Sequence, residues 1–89
     1  MEKIVKCLLL KNDCTLVTEI FEVGSELGEP DCKLINPCVI KRGITNDCYL
    51  ETWLLDFTDQ NEMMIHSDSI LTIVDPNKEI LKKYLELTA

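Results

Sequence analysis

The stretch Ile70-Leu71-Thr72-Ile73-Val74-Asp75-Pro76-Asn77-Lys78-Glu79-Ile80-Leu81-Lys82-Lys83-Tyr84-Leu85-Glu86-Leu87-Thr88 changes its hydrophobic period in the middle. Up to Val74 it is a short continuous run of β-branched and aliphatic residues, the pattern of a strand. Beyond Asp75-Pro76, Ile80, Leu81, Tyr84, Leu85 and Thr88 recur at helical spacing. Asp75 is a good N-cap residue, and Pro76 suits a first helical position, where a missing N–H costs nothing. Lys82 and Lys83 fall in the later half, where cations complement the helix dipole. The spacing therefore predicts a helix over residues 75–88. So short a helix does not hold together alone in water, so its apolar stripe must dock on whatever precedes it.

What precedes it reads as sheet. Turn-forming residues cluster at 11–13, 24–31, 43–47, 58–61 and 67–69. Between them lie strand-like segments at about residues 3–10, 15–23, 33–42, 48–57, 62–66 and 70–74, rich in Val, Ile, Leu, Thr and aromatics. Hairpin-length connections between short strands point to a small antiparallel β-barrel of five to six strands. The expected fold class is thus mostly β, a small antiparallel barrel over residues 1–74 carrying a C-terminal α-helix at 75–88, all in one domain. Pro37 removes a ladder donor from the third segment, so that strand should bulge or bend at Asn36-Pro37. Several strands are apolar on both faces. In the fourth, Tyr49, Trp53, Leu55 and Phe57 share one face while Leu50 and Leu54 occupy the other. Two apolar faces imply that the helix or another subunit covers the outer one.

Composition narrows the function. Eighty-nine residues build one core, and a chain of this size gains from self-association. The net charge of −7 disfavours DNA and anionic membranes and suits a basic protein partner. No apolar run reaches membrane-span length, and Lys6 interrupts the one near the start, so a cytoplasmic location is expected. Five cysteines, an odd number with no Cys-x-x-Cys pair, read as buried reduced thiols rather than a disulfide scaffold or zinc site. There is no Gly-rich phosphate loop, His-Glu-x-x-His or nucleophile elbow, so neither catalysis nor a cofactor is expected.

Two segments carry a family resemblance. Leu10-Lys11-Asn12-Asp13-Cys14-Thr15-Leu16-Val17 stands where the Sm-like family, which includes Hfq, has a Leu-x-Asn-Gly turn before a curved second strand. Ile65-His66-Ser67-Asp68-Ser69-Ile70-Leu71-Thr72-Ile73 keeps the spacing of that family's Ile-Arg-Gly-x-x-Ile-x-x-Ile signature, with His66-Ser67 in place of Arg-Gly. The chain also resembles short Sm-like proteins of marine T4-like phages in its Asn36-Pro37 pair, Trp53 and a terminal helix with Tyr84, which implies a phage or host-cytoplasm setting. Sm proteins usually place their helix before the first strand, whereas here it comes last. The resemblance implies a homo-oligomeric ring joined through strands 48–57 and 62–66, with Trp53, Leu55, Phe57, Met63 and Ile65 at the interface. It also implies single-stranded RNA as ligand, contacted by His66, Asn36, Lys41 and Arg42. Each has a plainer alternative: His66 as a surface turn residue, Asn36 satisfying a bend, Lys41-Arg42 as a solvated strand end, Trp53 as core. The second function class is a protein-interaction adaptor without nucleic acid.

Overall fold

A computed structural model describes residues 4–45 and 47–88; Lys3, at the start of the first expected strand, Asn46 in the 43–47 turn, and the outermost ends of the domain lie outside them. The elements are β1 (Val5–Leu10), β2 (Thr15–Glu22), β3 (Cys32–Arg42), β4 (Cys48–Thr52), β5 (Glu62–Ile65), β6 (Ile70–Val74) and α1 (Lys78–Leu87), with a short 3-10 turn at Ser67–Ser69. All pairings are antiparallel, in the order β4-β3-β2-β1-β6, with β5 also on β3. The sheet is not closed: among the described residues no ladder joins β6 to β4 or β5. The barrel expected from the strand spacing is therefore an open one.

The eleven-residue β3 organises the sheet. Its second half pairs with β4, from Cys38↔Thr52 to Arg42↔Cys48, and its first half with β5, from Cys32↔Ile65 to Ile35↔Glu62. Thus β4 and β5 run along one side of β3 like a single strand from which residues 53–61 have looped out. The break falls at Asn36-Pro37. There the register with β2 shifts between Val17↔Cys38 and Glu19↔Ile35, so two residues of β3 oppose Thr18 alone. Asn36 has φ 52°, and proline supplies no N–H. This is the bulge that Pro37 predicted.

A bulge leaves ladder groups without strand partners, and here the helix and Thr18 serve them. The Glu19 N–H donates to Tyr84 Oη (3.2 Å), which donates to the Ile35 carbonyl (3.0 Å). Thr18 Oγ1 donates to the same carbonyl (3.0 Å) and lies 2.9 Å from Glu19 O. Burial of both side chains makes these bonds worth more than exposed ones.

Successive residues feed two cores. Leu8, Leu10, Leu16 and Leu34 fill one face, joined by Trp53, Ile65 and Ile70. On the other, Cys7, Val17 and Cys38 pack under Ile80 and Tyr84 of α1. The two-sided strands are explained: α1 covers the second face.

Three local readings are corrected. The fourth strand ends at Thr52 instead of residue 57, because Leu54 turns the chain at φ 61° and its carbonyl accepts from Phe57 N and Thr58 N (3.0 and 3.1 Å). A left-handed leucine costs about 1–2 kcal/mol, so surrounding bonds must impose it. The shared face expected for Tyr49, Trp53, Leu55 and Phe57 therefore does not exist. The helix cap is Asn77 rather than Asp75: Asn77 Oδ1 accepts from Ile80 N at 2.8 Å, while Asp75 forms an ion pair with Lys6 of β1. Leu85, expected in the docking stripe, is 43% exposed.

Candidate functional site

His66 follows β5 and opens the 3-10 turn, exposed to solvent. Beside it, Asp31 ties the 24–31 loop to that turn. Its carboxylate accepts from the Ser67 hydroxyl and the Ser67 N–H, both at 2.7 Å. His66, Asp31, Ser67, Gly28 and Asp68 line a hollow of about 410 Å³. The Ser67 hydroxyl and then its amide hold the Asp31 carboxyl below the usual carboxylate range. A folded value below the unfolded one means this contribution to stability is present above the ordinary carboxylate range. It is lost as pH falls through the folded value. Asp31→Ala is accordingly expected to shrink the drop in Tm between neutral and acidic pH, with Asp31→Asn intermediate at neutral pH. An unchanged acid limb would show that the Asp31–Ser67 tie contributes nothing.

The other three expected RNA contacts lie elsewhere along β3. Asn36 sits at the bulge, donating its N–H to Asn61 O (2.7 Å) and accepting from the Cys38 thiol through its carbonyl (3.5 Å). Lys41 and Arg42 are at the far end, opposite Tyr49 and Cys48. Lys41 Nζ is 2.7 Å from Glu51 Oε2, whose hydrogen bond and charge raise the lysine above its ordinary value. His66 adjoins the opposite end of β3, where Cys32 pairs with Ile65. The four are spread along the strand and do not converge.

The expected interface residues divide differently. Trp53 and Ile65 pack on the first core and Met63 is 8% exposed, so these three are held by the fold itself. Leu55 and Phe57 are 55% and 85% exposed, but on the looped-out turn rather than along a strand.

The feature that sequence reading missed is the edge formed by β6. Among the described residues it pairs only with β1, and between Leu9↔Thr72 and Leu10↔Ile70 its register shifts, leaving Leu71 without an opposite residue. Leu71, Ile73 and Val74 are more than half or about half exposed. A groove of about 650 Å³ runs beside it, lined by Ile4, Ile20, Phe21, Ile70, Leu71 and Ile73 among others. The signal was available: Ile-Leu-Thr-Ile-Val contains no charge, unlike β4 and β5. At the opposite edge, Met64 of β5 is 47% exposed.

All five cysteines are free, and burial raises the thiols of Cys7, Cys32 and Cys38, the last to about 11. Among the described residues no three His, Cys, Asp or Glu side chains gather as metal ligands, and no helix is long and apolar enough to cross a membrane. Residues 3–89 match the family model described as "Family of unknown function (DUF6561)", and the chain belongs to that family. No curated protein matches it.

Proposed function

We propose that this DUF6561 protein is a non-enzymatic adaptor that assembles head to tail into a homo-oligomeric ring. The observation that carries the reading is β6, a five-residue uncharged edge strand with its outer side unpaired among the described residues. Proteins usually blunt such an edge with charges or prolines, because a free row of N–H and C=O groups recruits another strand. The opposite edge, where Met64 of β5 is exposed, offers an unlike partner. Joining unlike edges is a heterologous contact, and a ring of such contacts leaves no edge free. It would also cover Leu71 and Ile73, adding the burial that a small chain lacks.

Charge favours an adaptor over an RNA-binding ring. The net charge is −7, Lys41 is engaged by Glu51, and the four RNA-contact candidates are dispersed. Five free cysteines, three of them buried, suit a reducing cytoplasm. Sedimentation at micromolar concentration is expected to give a multiple of the 10.2 kDa chain mass. A 10.2 kDa species at every concentration would end the assembly reading. Short U-rich and A-rich RNAs are expected not to bind even at low salt. Saturable binding with a steep salt slope, weakened by Lys41→Ala and Arg42→Ala, would replace the adaptor with an RNA-binding ring.

A further inference from the structure

The loop between β4 and β5 has a chemistry that edge pairing does not use. Leu54, Leu55 and Phe57 are 40%, 55% and 85% exposed on it. Exposed apolar residues scattered singly need no explanation, but three within four positions do. The turn is also built rather than slack. Trp53 N–H donates to Pro37 O at 3.0 Å, Phe57 N–H and Thr58 N–H close on Leu54 O, and Gln60 N–H donates to Thr58 Oγ1 at 3.1 Å. Leu54 holds a left-handed conformation within it. Strain of that kind persists where a structure over-determines it, and here its effect is to present Leu55 and Phe57 to solvent.

The surroundings are acidic. No Lys or Arg occurs between Arg42 and Lys78, while Asp47, Glu51, Asp56, Asp59 and Glu62 all fall there. Glu51 and Glu62 are partnered by Lys41 and Lys33. Asp56 and Asp59 are exposed and form no ion pair among the described residues. Asp56 lies near enough to add to the charge that keeps Lys41 protonated.

We infer that the 53–59 turn is a docking surface for a segment of another protein that carries Lys or Arg beside apolar side chains. Burial of Leu55 and Phe57 supplies the non-directional part of the contact. Asp56 and Asp59, exposed and in no ion pair among the described residues, select the sign of the partner. Charge also decides against the rival occupants. A second copy would set its own acidic surface against Asp56 and Asp59, whereas β6, the edge proposed for assembly, carries no charge; nucleic acid and an anionic lipid surface are likewise negative. The inference rests on the adaptor reading and names the site through which the adaptor meets its partner.

Trp53, the single tryptophan, stands half-buried at the base of the turn and reports on it by fluorescence. The probe is a peptide of alternating Leu and Lys, compared with one in which every Lys is Glu. The Lys peptide is expected to shift Trp53 emission saturably, with an affinity that falls as salt rises. The double variant Leu55→Ser/Phe57→Ser, which alters exposed side chains only, is expected to weaken binding roughly tenfold or more. Asp56→Asn with Asp59→Asn is expected to flatten the salt dependence. Ile44→Ser, a fully exposed apolar side chain in the 43–47 turn, should leave the affinity unchanged. Equal binding of the Glu peptide, or unchanged affinity in Leu55→Ser/Phe57→Ser, would overturn the proposal. Dissociation of an oligomer by that double variant would overturn it too, assigning the turn to a second copy. A monomeric wild type that still binds through Phe57 would remove the ring and leave the docking surface standing.

Discussion

Replacing Tyr84 by phenylalanine is expected to lower the unfolding free energy by about 1–3 kcal/mol, although only one oxygen is lost. That hydroxyl lies between the Glu19 N–H and the Ile35 carbonyl, two groups the β3 bulge has taken out of their ladder. Phenylalanine keeps the ring and leaves the Glu19 N–H buried without its partner. Tyr84→Ala is expected to cost more, about 3–5 kcal/mol, because it also empties the centre of the second core. Against a total of about 5–15 kcal/mol for an ordinary domain, that approaches loss of the fold. Denaturant titrations of wild type, Tyr84→Phe, Thr18→Val and the double variant would measure the coupling, since Thr18 shares the Ile35 carbonyl. If Tyr84→Phe unfolds at the wild-type midpoint, the hydroxyl is not what repairs the bulge.

The same contact sets an alkaline limit. Burial pushes the Tyr84 phenol up to about 12, outweighing the Glu19 amide that favours the phenolate. A tyrosine in the unfolded chain ionises near 10. The folded value is the higher, so the contribution is full below about pH 10 and is lost as pH rises toward 12. Tyrosinate absorbance is expected to show one of the two tyrosines ionising near pH 12 or only on unfolding.

On the proposed assembly through β6, Ile73→Lys is expected to give monomers across the micromolar range while leaving the far-UV spectrum unchanged. Ile73 is 50% exposed at the open edge, so the isolated subunit can hold a lysine there in water. A strand paired onto β6 would bury that ammonium, and an inward-pointing charge on an edge is a device by which proteins prevent such pairing. Leu71→Lys, at the bulge in the same strand, should act in the same direction but less strongly, since the bulge already disrupts regular pairing there. Sedimentation velocity separates the outcomes. An oligomer that survives Ile73→Lys would show that β6 is not its interface.

Much of the architecture was legible because local rules govern it. Val, Ile and Leu runs between turn residues located all six strands, and β6 has the bounds its residues predicted. The missing N–H of Pro37 located the bulge. Ile80 and Tyr84 in a stripe at helical spacing located the buried face of α1. The cap was misplaced by two residues because Asp75 and Asn77 are both good caps, and only the Lys6 ion pair, from a distant strand, takes Asp75 away. The functional residues were less legible. Exposed apolar residues look the same in sequence as buried ones, so Phe57 read as a strand residue; Met63 and Ile65, which the family resemblance placed at an interface, are packed within the subunit.

The residues by themselves determined an acidic, mostly β domain with a bulged third strand and a terminal helix that must dock. Composition, proline chemistry and hydrophobic period act within a few residues, and these features need nothing more. Only the tertiary structure decided that the sheet stays open, with β6 at one edge and β4 and β5 at the other. It likewise decided that Tyr84 meets the bulge across 65 residues of chain from Glu19, and that residues 53–61 loop out where β3 bends. Each is a matter of register between strands distant in sequence, and register is set by which side chains share a core.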